Sequence, residues 1–205
     1  MTDLPWRDLA STILADDRVE LHPVAESDRE PLRKIALDER IWTYFVARVA
    51  TDADFDRFFD AMLADQAAGT RAVYVIVDED TGQTVGSSSY GNLAEADRRL
   101  EIGWSWLGVD FQGGGVNRRA KLLLLEHAFE RLRAERVEFK TDVLNLRARA
   151  GLRGIGASEE GVLRSFNFMP DGRRRDAVYY SVLAAEWPAV RARLRERVGT
   201  GKPAT

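Results

Sequence analysis

The chain has 205 residues, 45% of them hydrophobic and 31% charged, which fits a single globular domain large enough to bury its own core. Its 30 basic residues stand against 33 acidic ones, a formal net charge of -3, so the basic surplus of a broad nucleic-acid footprint is missing. There is no cysteine, which excludes disulfides, zinc–thiolate sites and a cysteine nucleophile. The apolar stretch at residues 9–15 is too short for a signal peptide and runs into Asp16 and Asp17. No apolar run approaches the roughly 20 residues of a membrane span. A cytoplasmic protein is the expectation, with no membrane and no nucleic acid as partner.

Residues 1–17 read as a loosely docked N-terminal arm, 18–198 as one domain, and 199–205 as a frayed tail. Within the domain, 18–24 reads as a strand. Ser27 and Glu30 have the spacing of a capping box, with Pro31 in the first turn, so a helix is predicted to about residue 38. Thr51 and Asp54 open a second helix, with Phe55, Phe58, Phe59, Met62 and Leu63 on one face and Gly69 as its stop. Residues 72–77 and 84–90 form a hairpin about the turn 80–83. Residues 99–109 make the next strand, and simple alternation puts Ile102, Trp104 and Trp106 on one face and Glu101, Gly103 and Ser105 on the other.

A glycine run leads into a long helix over 116–133 with an apolar stripe of Leu122, Leu125, Phe129 and Leu132. A strand over 136–144, a short helix over 147–155, a hairpin of 160–169 with 173–183 about Asp171-Gly172, and a helix over 186–198 complete the order. The fold class is α+β: a mixed, mostly antiparallel twisted sheet of about seven strands flanked by helices.

The segment richest in chemistry runs from Glu101 through Gln112-Gly113-Gly114-Gly115-Val116-Asn117. A strand ends, glycines turn the chain, and a helix begins. The first amides of a helix lack internal partners and carry the positive end of its dipole, which makes an anion site. Glycine keeps side chains from fending a phosphate off the backbone. A tight turn that merely needs glycine is the other reading, and the residues alone leave both open. A P-loop is excluded by the missing Gly-Lys-Ser/Thr, and consecutive glycines do not match the spacing of a dinucleotide-binding turn.

Here the chain resembles the GCN5-related N-acetyltransferases, in the branch of the ribosomal-protein N-terminal acetyltransferases (RimJ/RimL-type). The family's Q/R-x-x-G-x-G/A motif is met by Gln112-Gly113-Gly114-Gly115-Val116-Asn117, with Asn117 departing at the last position. Arg99-Leu100-Glu101-Ile102-Gly103-Trp104, the helix residues 121–129, the strand 136–142 with Asn145, and the segments 160–164 and 171–176 extend the likeness over roughly residues 18–190.

The resemblance implies acetyl transfer from acetyl-CoA to a primary amine by direct attack in a ternary complex. The acceptor would be a protein N-terminus or a small amine, with no metal involved. It places the CoA pyrophosphate on the amides of Gly113, Gly114, Gly115, Val116 and Asn117, with the pantetheine arm along Trp106, Leu107, Gly108 and Val109 as an added strand, in contact with Asn145. By spacing alone Asn145 is equally a helix cap. Glu101, eleven positions before Gln112, would be the base that deprotonates the amine, unless it is a strand-edge residue paired to Arg99. Leu107 or Gly108 would give the oxyanion its N–H.

The family's usual acid positions hold Ala148 and Leu152. That departure keeps a non-catalytic acyl-CoA-binding protein open as the alternative, beside an enzyme using a larger donor such as succinyl-CoA. A homodimer stays open. His22 and His127, the two histidines, lack metal spacing and read as structural, and Tyr179 and Tyr180 point to opposite faces of one strand. Arg173-Arg174-Arg175 reads as a solvated face, with a grip on an acidic acceptor or on the CoA 3′-phosphate as the other reading. The resemblance implies that Trp42, Tyr44 and Phe45 help shape an acceptor pocket, and ordinary core aromatics are the other reading.

Overall fold

The computed structural model describes residues 6–199. Among them lie eight strands: β1 Leu14–Ala15, β2 Val19–Pro23, β3 Ala72–Asp78, β4 Gln83–Ala94, β5 Arg99–Leu107, β6 Arg136–Asp142, β7 Ser158–Phe168 and β8 Arg174–Leu183. The helices are α1 Arg29–Ala36, α2 Asp52–Ala67, α3 Val116–Glu126, α4 Leu146–Ile155 and α5 Trp187–Gly199. One sheet takes all eight strands in the order β1-β2-β3-β4-β5-β6-β8-β7. Every pairing is antiparallel except β5 with β6. The eighth strand, beyond the seven expected, is the two-residue β1.

The sheet is covered on both faces. On one, α3, α4 and α5 bury Tyr74, Tyr90, Leu124, Leu125, Phe139 and Tyr180. On the other, α1 and α2 cover β3 to β5 through Leu32, Phe55, Phe59, Met62, Val73, Val75 and Trp106. Phe55 and Phe59 are fully buried, each burial contributing roughly 1.5–3 kcal/mol. Thr51 caps α2 as its spacing predicts: its hydroxyl accepts from Asp54 N at 3.1 Å, and the Asp54 carboxylate accepts from Thr51 N at 3.0 Å.

Four local expectations are corrected. The capping box at Ser27 does not form. The Asp28 carboxylate turns back on Ala25 N at 2.8 Å, and a 3-10 turn over Glu26–Asp28 leads into α1. The long helix is not uniform: after α3 it widens into a π turn over His127–Arg131, with Leu132 N bonded to His127 O. Residues 6–15 of the expected arm are docked. Trp6 and Leu9 enter the core, the Trp6 indole N–H donates to Leu132 O at 3.1 Å, and the Tyr74 hydroxyl donates to Leu9 O at 2.6 Å.

The fourth correction bears on the site. In β5, Gly103 faces Ser89 and Trp106 faces Ser87, so a bulge absorbs one extra residue at Trp104, whose φ is 50. The bulge reverses the alternation. Ile102 lies with α3, whereas Trp106 lies under α1 and α2, against Trp42 at 5.3 Å. Glycine at 91 makes room for the displaced indole, since a Cβ there would meet the Trp104 ring at 2.4 Å.

Candidate active site

The site begins where two neighbouring strands part. β5 and β6 run parallel and pair only over Arg99↔Arg136, Leu100↔Val137 and Glu101↔Glu138. β5 continues to Leu107 and β6 to Asp142 without further pairing to each other. This leaves a wedge with the backbone of β5 along one wall. Gly108 N donates to Val85 O at 2.9 Å, so the ladder's alternation turns the Leu107 N–H away from β4, into the wedge. Gly108, expected as an alternative oxyanion donor, has its N–H committed to the sheet.

Glu101 stands at the fork and is 3% exposed. Its Oε2 accepts from Asn92 Nδ2 at 2.6 Å and from Lys140 Nζ at 3.3 Å. The pairing with Arg99 considered from sequence is absent, because Arg99 reaches Glu138 at 3.2 Å. On the same face, Lys140 lies over the rings of Phe166 and Tyr179, at 5.2 and 5.5 Å from their centres. Tyr180 turns to the core side instead, as alternation requires.

Beyond β5, a 3-10 turn over Val109–Phe111 leads to Gln112 and the glycine bend. Gln112 is a brace: its Nε2 donates to Leu107 O at 2.9 Å and its Oε1 accepts from Arg147 at 2.5 Å. Gly113 and Gly115 have φ of 92 and 96, where a side chain is strained. A Cβ at Gly113, Gly114 or Gly115 would meet nothing within 4 Å, so the bend is open to solvent. Among the described residues, no acceptor takes the amides of residues 113–117, whereas Arg118 N and Arg119 N both return to Gly115 O. Arg18, Arg118, Arg119 and Arg197 line the adjacent depression. Bare amides at a helix start, flanked by cations, fit a diphosphate.

Asn145 lies three residues past the end of β6, where its Oδ1 caps α4 by accepting from Ala148 N at 3.0 Å. The capping role is thus real. Leu152 packs against the core, and Ala148 has no side-chain donor. The structure thus brings Glu101, Leu107, Gln112, the glycine bend and Asn145 around one wedge, while the Trp106 side chain leaves for the α1/α2 face.

Sequence reasoning missed Asn92 and Lys140. Asn92 has a φ of 48, a turn feature invisible in a strand pattern. The alternation of β6 was a usable signal for Lys140, since it shares a face with Glu138. His22 and His127 do belong to the scaffold. His22 sits between Asp28 at 3.0 Å and Glu20 at 3.2 Å, which raise its pKa, while burial lowers that of His127 to about 4. No cluster able to hold a metal occurs among the described residues, and no helix there is long and apolar enough to cross a membrane.

A forked parallel pair, a bare-amide helix start and a buried carboxylate at the crotch define an acyl-CoA-dependent acyltransferase. Residues 18–158 match the family description "Acetyltransferase (GNAT) domain". The chain belongs to the GNAT family, and its reaction is acetyl transfer from acetyl-CoA to an amine.

YdaF of Bacillus subtilis (strain 168), provisionally named a ribosomal N-acetyltransferase, is 38% identical over 106 residues, 52% of this chain and 57% of that protein. The ribosomal-protein-serine acetyltransferase of Escherichia coli (strain K12) is 24% identical over 80% of this chain and 92% of its own length. Among solved structures, an acetyltransferase from T. thermophilus, also named provisionally, superposes with TM-score 0.83 at 33% identity, covering 96% of this chain and 99% of that one. RimJ of Mycobacterium smegmatis, in complex with CoA-disulfide, shares the fold at TM-score 0.78 and 23% identity, covering 96% and 99%.

Proposed function

We propose that the chain is a cytoplasmic enzyme that acetylates the N-terminal amine of a protein, by direct attack on acetyl-CoA held in the fork between β5 and β6. The observation that carries this reading is the early end of the β5–β6 pairing at Glu101↔Glu138, which leaves the β5 backbone free to take an extended ligand as an added strand. The diphosphate of CoA sits on the amides of residues 113–117, and the pantetheine arm follows residues 106–109 toward Asn145, whose side-chain NH₂ is free of the cap. The names of the relatives favour a protein acceptor over a small amine.

An α-amine titrates near ~8, lower than a lysine-like amine near ~10.4, so one carboxylate suffices as its base. Glu101 takes a proton from the incoming ammonium, directly or through a water. The amine nitrogen attacks the thioester carbonyl, whose oxygen gains negative charge opposite the Leu107 N–H. The C–S bond then breaks, CoA leaves as a thiolate, and the nitrogen sheds its remaining extra proton to that thiolate or to water as the amide forms. A thiol pKa near ~8.5 makes that departure feasible without an acid at Ala148 or Leu152.

A second reading is an acyl-CoA-binding protein without turnover, favoured by the packing of Leu152 in the core where an acid is expected. One experiment separates the two. The protein is incubated with acetyl-CoA and a panel of peptides and small amines, thiol release is followed, and mass spectrometry locates the acetyl group. Acetyl on peptide N-termini supports the enzyme. Tight CoA binding with thiol release no faster than the uncatalysed rate across the panel rejects it.

A further inference from the structure

The arginine triplet that sequence reads as a solvated face is divided by the structure. Arg173 pairs with Asp142 at 2.5 Å, and Arg174 bonds the exposed Ser165. Arg175 is 4% exposed: its Nε is sealed from solvent without an acceptor, its two Nη atoms stay open, and no hydrogen bond or ion pair to it occurs among the described residues. A buried cation without a partner is strongly destabilising, so native folds seldom keep one. A lysine could shed its proton to escape, but a guanidinium stays charged at every physiological pH. The charge at Arg175 is therefore offset by the chain only through space, and its open Nη atoms are free to take an anion from outside.

The neighbouring carboxylates are already committed. Asp142 accepts from Leu144 N with Oδ1 and from Arg173 with Oδ2. Glu101 is held by Asn92 and Lys140. Both interact with Arg175 only through space. The alternation of β8 sets Arg175 on the same face as Tyr179, whose partner across the ladder is Lys140, and Lys140 reaches Glu101. Arg175 thus lies on the face that carries the candidate base, beyond the end of β6. Glu101 and Arg175 sense one another through space, so a few residues of extended peptide, at about 3.5 Å each, reach from one to the other.

We propose that Arg175 is a specificity residue that receives an acidic side chain at the third position of a peptide acceptor whose N-terminal amine meets Glu101. This rests on the acceptor being a peptide N-terminus. The carboxylate of a free amino acid lies too close to its own amine to span the two groups. A bidentate carboxylate–guanidinium contact replaces the missing partner, so the acceptor completes the charge balance of the cleft as it binds. Retaining an unpaired charge in the free protein is then a stability cost kept for recognition.

The test uses two capped pentapeptides with free N-termini, identical except for Glu or Gln at the third position. For wild type, Arg175→Met and Arg175→Lys, kcat/KM is measured by thiol release. Binding of both peptides to the CoA-loaded protein is measured by calorimetry. Wild type should favour the Glu peptide by about tenfold or more, the scale of a charge-assisted hydrogen bond. Arg175→Met should lose that preference, and Arg175→Lys should retain part of it. The Glu peptide should raise the Tm of wild type and not of Arg175→Met.

Equal treatment of the two peptides by wild type overturns the proposal, whatever the variants do. An equal loss on both peptides in Arg175→Met overturns it too, because the residue would then be structural. If neither peptide is acetylated yet the Glu peptide binds better through Arg175, the acetyl-transfer reading fails and this one stands. Turnover of both peptides without preference gives the reverse.

Discussion

Lys140 sets its ammonium 3.3 Å from the Glu101 carboxylate, across the fork where β5 and β6 part. An amine acceptor arrives as an ammonium and seeks the same oxygens, so Lys140 holds the carboxylate in place and competes for it. Removing the competitor with Lys140→Met leaves Glu101 a buried carboxylate without its cation, so the acceptor ammonium should bind in its place and lower the acceptor KM at least about fivefold, while the free protein loses about 3–5 kcal/mol of stability. The dissociation constant for CoA should not move. Steady-state kinetics with a peptide acceptor measure both sides, and a raised KM would show that Lys140 helps the acceptor bind.

Glu101→Gln removes the base and leaves the shape. Loss of a general base costs typically 10²–10⁴-fold in rate, so kcat should fall by about that factor with CoA affinity unchanged. The defect should shrink as pH rises, because above about pH 8 an α-amine loses its proton without help. Thiol release followed from neutral to alkaline pH tests the sign. A defect that stays constant across that range would mean Glu101 positions the acceptor and takes no proton.

The glycine bend separates binding from folding. At Gly114 the backbone has no positive φ and a Cβ would meet nothing within 4 Å, so Gly114→Val should fold with an unchanged Tm. The isopropyl group would stand over the bare amides and should raise the dissociation constant for CoA at least about tenfold, the loss of one charge-assisted hydrogen bond. Gly115→Val is the contrasting case: its φ of 96 makes a branched side chain strained, so stability should fall by 1–2 kcal/mol or more, on the order of a left-handed residue's cost. Unchanged CoA affinity in Gly114→Val would remove the diphosphate from the bend.

Much of this was legible in the residues. The capping box at Thr51, the α2 face, the hairpins and the glycine-to-helix junction are local patterns, and local patterns survive folding. What was not legible depends on partners distant in sequence. The bulge at Trp104 arises from the register against Ser87 and Ser89 and sends Trp106 to the opposite face from Ile102. The ion pair of Glu101 with Lys140 spans 39 residues and exists because a parallel pair stops early. Arg173, Arg174 and Arg175 look alike in a triplet, and only strand alternation with a neighbouring edge strand buries one and exposes another.

Lys121 offers a test of the scaffold behind the site. It is 7% exposed, and its ammonium donates to Ser88 Oγ at 3.2 Å and Ser105 Oγ at 2.5 Å, with no carboxylate in contact among the described residues. Burial pushes its pKa down to about 7. Below that value the folded and unfolded chains both carry the proton, and the folded state bears the whole desolvation penalty. Between about pH 7 and the unfolded value near ~10.4, the unfolded chain keeps a proton that the folded chain has released, so stability rises with pH through that window. Lys121→Met keeps the volume and removes the titration, and Ser88 and Ser105 remain bonded to each other at 2.7 Å. The variant should be more stable than wild type by at most about 5 kcal/mol at low pH, with the difference narrowing as pH rises. His22, whose raised pKa works in the opposite sense at lower pH, is present in both proteins and cancels from the comparison. Urea unfolding of the two proteins at about pH 6, 8 and 10 measures the convergence. A difference that stays flat across those values would mean Lys121 keeps its proton in the folded state, held by its two serines more firmly than its burial implies.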